Sequence, residues 1–93
     1  MVVPYDWEEW AMRALAGIEP YEVRQVLDAK PRWPRPGRSS SGVQVLTIWG
    51  RTLAGRALIV AVYHVSGVTW KIVGARDMTN AELAEFAGWE ETR

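Results

Sequence analysis

Neither a helix nor a central strand can run through Lys30–Gly42, where three prolines, two glycines and three serines fall close together. Proline lacks the N–H that both ladders need, and its ring blocks a continuing helix. The chain therefore divides there. Before this stretch, apolar residues recur at helical spacing; after it, they follow strand patterns. The expectation is two helices, an exposed basic loop over 30–42, then a sheet.

The helical half carries local start and stop signals. Asp6 and Glu9 have the spacing of an N-cap and its capping-box acid, and Trp7, Trp10, Ala11, Ala14 and Leu15 follow until Gly17 offers a stop. Pro20 suits the first position of a second helix with Val23, Val26 and Leu27 on one side, ending near Ala29.

Three strand-like segments come next: Val43–Gly50, the doubly apolar Arg56–His64, and Val68–Arg76. A two-residue turn at Ser66-Gly67 would set Val65 against Val68, His64 against Thr69 and Val62 against Lys71. His64 and Lys71 would then be diagonal neighbours on an open polar face, roughly 7–8 Å apart. Ile59, Ala61, Ile72 and Gly74, with Leu46 and Ile48, would form the face covered by helices. Arg76 falls at the strand's end on that covered side. Thr79 and Glu82 form a further capping box, opening a last helix with Leu83, Phe86 and Ala87 inward. The order ααβββα makes this an α+β chain, a single domain over residues 1–93, with helices packed on one antiparallel sheet of three or slightly more strands.

Charge is segregated along the chain. Residues 29–76 hold Lys30, Arg32, Arg35, Arg38, Arg51, Arg56, Lys71 and Arg76 with no acid, whereas both ends are acidic and the total is formally zero. A basic middle of this kind is the footprint expected for a polyanion or for an acidic element of a partner. There is no cysteine, so disulfides and thiolate chemistry are excluded, and nothing has metal-ligand spacing; no cofactor is expected. The longest apolar run, Ala57–Tyr63, is too short to span a bilayer, and the amino end lacks the pattern of a secretory signal. The expected location is the cytoplasm.

The strand ending in Ala75-Arg76-Asp77-Met78-Thr79 and running into a capped helix resembles the carboxy-terminal signature of the BrnT-like toxins, a branch of the RelE-type ribonuclease toxins. The resemblance extends through Ala16-Gly17-Ile18, Val23–Leu27, Gly50-Arg51 and Val62-Tyr63, in the same order over most of the chain. It implies a RelE-like fold and a toxin of a bacterial type II toxin–antitoxin system that cleaves RNA without a metal and inhibits translation. The implied partners are RNA, on the ribosome or free, and a cognate antitoxin of the BrnA type. That antitoxin, a ribbon-helix-helix protein, would supply the only contact with DNA.

In such cleavage the 2′-hydroxyl attacks phosphorus, so a site must move two protons and stabilise negative charge on phosphoryl oxygens. Arg76 and Arg51 match arginines of the family pattern and suit the charge-stabilising role; Lys71 is next. His64 is the one side chain with an ordinary pKa near neutrality, so it is the chemical choice for base or acid, with Tyr63 a weaker acid. Arg32, Arg35, Arg38 and Arg56 are candidates to track the RNA backbone, and Trp33 to stack a base. This scheme requires the basic tips to converge on one exposed face without carboxylates to quench them. Family members often carry Lys-His-Gly at the end of the first helix, where this chain has Leu15-Ala16-Gly17, and the last helix here is acidic. The alternative is a toxin-fold protein with weak catalysis that acts as a binding or regulatory partner.

Overall fold

The computed structural model describes residues 5–39, 41–67 and 69–92. Eight elements follow in the order β1 (Tyr5–Trp7), α1 (Glu9–Ala14), α2 (Pro20–Asp28), β2 (Trp33–Arg38), β3 (Gln44–Arg51), β4 (Ala57–Ser66), β5 (Thr69–Asp77) and α3 (Asn80–Glu91). The strands form one mixed sheet in the order β1-β5-β4-β3-β2, with β1 parallel to β5 and the other pairs antiparallel. The α+β class holds, but the sheet is mixed and has five strands where an antiparallel sheet of three or slightly more was expected.

Both added strands lie at edges, and each was obscured by a local signal. Asp6 does not cap a helix. It sits in β1, where one carboxylate oxygen accepts from the Trp7 amide and the other from Lys71, and α1 begins three residues later without a side-chain cap. The stretch expected to be a loop over 30–42 instead supplies β2, which lines up Trp33 with Trp49, Arg35 with Thr47 and Gly37 with Val45. Its prolines fit because an edge strand uses only every second N–H in the ladder, and Pro34 and Pro36 occupy the positions that need none.

The locally encoded elements appear as expected. Pro20 opens α2, whose start is closed by a reciprocal Glu19–Glu22 capping box, and Thr79 and Glu82 close α3 in the same way. The turn joining β3 to β4 is fastened by Thr52 and Arg56, with Gly55 at φ +93°.

Register departs from the sequence expectation by one residue at the β4–β5 turn. Ser66 pairs with Thr69, so His64 opposes Trp70, Tyr63 opposes Lys71 and Val62 opposes Ile72; the expected Val65–Val68 pair includes a position outside the described residues. Irregularities between Ala61 and Val62 and between His64 and Ser66 account for the offset, since each moves the following side chains relative to the partner strand. The face expected to be covered is therefore split. Leu46, Ile48, Val60, Val62 and Ile72 lie with Val23, Val26 and Leu27 of α2 in the main core. Ile59, Ala61 and Gly74 lie on the other face.

That other face has a smaller core in which Phe86 of α3 is fully buried against Trp49 and Ile59, with Trp33, Met78 and Trp89 around it. The helix is held off the sheet by rings. Trp33 and Trp89 stack at 5.1 Å and 4°, and Trp33 meets Trp49 edge-on at 5.6 Å. Leu83, expected to face inward, is exposed.

Candidate functional site

The sheet face beneath α3 gathers the larger share of the residues singled out from the sequence. Strand alternation and the pairings place Trp33, Arg35, Arg51, Tyr63, Lys71 and Arg76 on it, drawn from β2, β3, β4 and β5. This convergence is non-local. Arg35 of β2 and Arg76 of β5 share one surface, three strands apart, only because the strand order brings distant segments into the same sheet.

The arginines on this surface are not unquenched. Arg76 forms a two-pronged pair with Glu82, at 2.6 and 2.7 Å; Arg51 holds Glu90 through two nitrogens at 2.9–3.2 Å; Arg35 holds Glu85 at 2.7 Å. All three glutamates belong to α3. The carboxylate-free face that the cleavage scheme requires is absent, because the helix turns its acids onto the arginines. The Arg76 guanidinium, with the Thr79 amide, draws Glu82 down to about 2, and Arg76 and Arg51 are in turn held above the ordinary guanidinium value by their partners. Arg35 also lies over Trp33 and Trp49, 4.3 and 4.8 Å from their ring centres, so the pair is pinned from beneath as well.

Proton-transfer candidates fare differently. His64 lies on the sheet face opposite Lys71, beside the Trp70 ring, with Nε2 bonded to the Gly67 carbonyl of its own turn. The His64–Lys71 phosphate clamp expected from the sequence is absent, because the one-residue offset rotated the two side chains apart. Lys71 pairs with Asp6 at 3.3 Å. Tyr63 donates to Glu8 Oε1 at 2.7 Å, and that bond raises the phenol above its ordinary pKa. A phenol harder to deprotonate is a poorer general acid near neutrality.

The remaining basic candidates serve the fold. Arg56 grips Asp77 with two nitrogens, reaches Glu22 and donates to the Gly17 carbonyl, tying α2 to the ends of β4 and β5. Arg32 donates to the Leu27 carbonyl at 2.6 Å and so closes the last turn of α2. Arg38 fastens its own turn through the Gly42 carbonyl. Trp33, expected to await a base, already has Trp89 on its face. Among the described residues no group of three histidines or acids could hold a metal, and no helix is long and apolar enough to cross a membrane.

From the sequence, Arg76 could pair with Glu82, but the pairings of Arg35 with Glu85 and of Arg51 with Glu90 were not foreseen. One signal was available: Glu82, Glu85, Phe86 and Trp89 recur at i, i+3, i+4 and i+7, so acids flank the inward aromatic stripe and need cations opposite. No protein-family model matches the chain, and no curated protein matches it.

Proposed function

We propose that this chain is a BrnT-like protein with a RelE-like fold, one half of a bacterial type II toxin–antitoxin pair, which in this conformation binds a partner protein and does not cut RNA. One observation carries the second clause: Arg51 and Arg76, the candidates to hold a scissile phosphate, and Arg35, a candidate to track the RNA backbone, are each occupied by a glutamate of α3. A phosphate would have to displace a carboxylate already seated in the same N–H fork, and among the described residues no free acid–base pair stands beside it. The family assignment rests on the Ala75–Thr79 signature and the matching order of shorter motifs.

A second reading, a metal-independent endoribonuclease that inhibits translation, is favoured by the convergence of the same three arginines with Tyr63 and Lys71 on one face. It requires α3 to leave that face. Inducing the chain alone and following growth, translation and cleavage of total RNA separates the two. The binding reading expects no arrest and no cleavage, with Arg76→Ala indistinguishable from wild type. Arrest with new RNA ends, abolished by Arg76→Ala, establishes the nuclease and removes the binding reading.

A further inference from the structure

Tight turns ordinarily carry glycine, proline or short polar residues at their tips. The β3–β4 turn, Thr52-Leu53-Ala54-Gly55, sets a leucine there instead, and Leu53 is 88% exposed, more than any other large apolar side chain among the described residues. The turn is nevertheless braced. Thr52, itself buried, donates its amide to the Arg56 carbonyl at 2.9 Å and accepts from the Arg56 amide through its hydroxyl at 3.1 Å. Arg51 donates to the Gly55 carbonyl at 3.2 Å, and the Leu53 amide itself donates to Gln25 Oε1 of α2 at 3.0 Å. A leucine held in water on so firm a support is a preorganised anchor, because the backbone beneath it has little freedom left to lose when the side chain is covered.

Beside the leucine is a hole. A cavity of about 620 Å³ opens between the carboxy-terminal half of α2, the Lys30-Pro31 segment and the β3–β4 turn, with Leu53 on its rim and the Arg51–Glu90 pair in its wall. Asp28 and Lys30 line the same cavity and are exposed, and neither forms an ion pair among the described residues. One surface thus carries a knob, a hole, an unpaired anion and an unpaired cation. A patch that holds both halves of each match is complementary to itself, which is what a two-fold interface requires: residue i meets j, and j meets i. The formal charge of the chain is zero, so two copies approach without net repulsion. A phosphate backbone or an anionic lipid surface would attract Lys30 but be repelled by Asp28.

From this arrangement we infer that the chain forms a two-fold homodimer through the β3–β4 turn, in which Leu53 of each protomer enters the cavity of the other and Asp28 of each faces Lys30 across the axis. Such pairing goes beyond the proposed function and is independent of it, since neither Leu53, Asp28 nor Lys30 is among the residues assigned to cutting or tracking RNA. A contact made by one turn and one helix end is small, and small interfaces are weak, so the dissociation constant should be on the order of 100 µM.

Sedimentation velocity of the purified chain from about 10 to 500 µM, a range that brackets this value, tests the pairing. The wild type shifts from monomer to dimer as concentration rises. Leu53→Asp weakens association at least about tenfold, whereas Val65→Ser, which removes an exposed apolar side chain near the far end of β4, leaves it unchanged. Asp28→Lys and Lys30→Glu each weaken association alone, because like charges then face each other across the axis. An equimolar mixture of these two variants regains dimers, since each protomer presents the charge that the other lacks. Both substitutions are at exposed positions, so the mixing experiment stands whatever Leu53→Asp does to the fold. A monomer at every concentration, a dimer indifferent to Leu53→Asp, or a mixture no more associated than its separate components overturns the inference. So does a chain that stays monomeric and binds phosphatidylglycerol vesicles in a manner lost with Leu53→Asp, which would assign the leucine to a lipid surface.

Discussion

Replacing Glu82, Glu85 and Glu90 together by glutamine removes the carboxylates from Arg76, Arg35 and Arg51 while keeping side-chain size and the buried Phe86. Eleven cations then face eight acids, where the wild type has eleven of each, so the formal charge moves from 0 to +3. If the glutamates are what keeps polyanions off this face, three arginines become available to phosphate. The log–log salt dependence of single-stranded RNA binding should steepen by about 2, at about 0.7 per phosphate neutralised. Partly exposed ion pairs contribute about 0.2–1 kcal/mol each, so the variant should lose about 0.6–3 kcal/mol of stability and still fold. Anisotropy of a labelled oligoribonucleotide across a salt series reads the slope. A control with Glu9→Gln, Asp28→Asn and Glu91→Gln reaches the same net charge by neutralising acids that form no ion pair among the described residues. Equal slopes for the two triple variants would show that net charge alone matters and would refute the account of α3 as the element that occupies the arginines. Cleavage of the RNA by the α3 variant, and not by the control, would support the latent nuclease.

Other consequences concern the fold that positions this surface. Phe86→Ala empties the fully buried centre of the smaller core and should cost about 3–5 kcal/mol. In a domain of this size that lowers the thermal midpoint by more than about 12 °C; an unchanged melt would mean that α3 is not packed on the sheet. At Gly50 a Cβ would lie 3.2 Å from Val26 Cγ1 and 3.5 Å from the Val26 carbonyl oxygen. Gly50→Ala should therefore destabilise by about 1–3 kcal/mol, whereas Gly74→Ala, which meets open space, should change denaturant midpoints little. The pair of variants tests how closely α2 lies on β3. The folded Glu82 carboxyl is depressed to about 2 from an ordinary 4.5, chiefly by Arg76 and then by the Thr79 amide. Its contribution to stability is complete above about pH 4.5 and disappears as pH falls toward 2. A carboxyl titration by NMR should place it there, and Glu82→Gln should flatten the stability profile across that window.

What could be read from the residues was what neighbours in sequence decide. Pro20, the inward stripe of α2 and the Thr79–Glu82 box depend on residues within one or two helical turns, and those helices stand where expected. Asp6 and Glu9 mimicked a helix start closely enough to hide β1, a strand of three residues that exists only because β5 is there to pair with. Prolines at 34 and 36 argued against a strand and were compatible with an edge one. Register failed because a single-residue irregularity between His64 and Ser66 has no local signature, yet it decided which face carries Lys71. Charge segregation marked the arginines but not what they pair with. The partners of Arg35, Arg51 and Arg76 sit on the final helix, and only the folded sheet shows that this helix lies across them.

The outward positions of β2 carry a further meaning. Pro34 and Pro36 present carbonyls without amides along that margin, and the opposite margin is a strand of three residues. Along β2, then, the sheet offers a poor template to an incoming β-segment, because two of its outward positions have no N–H to give.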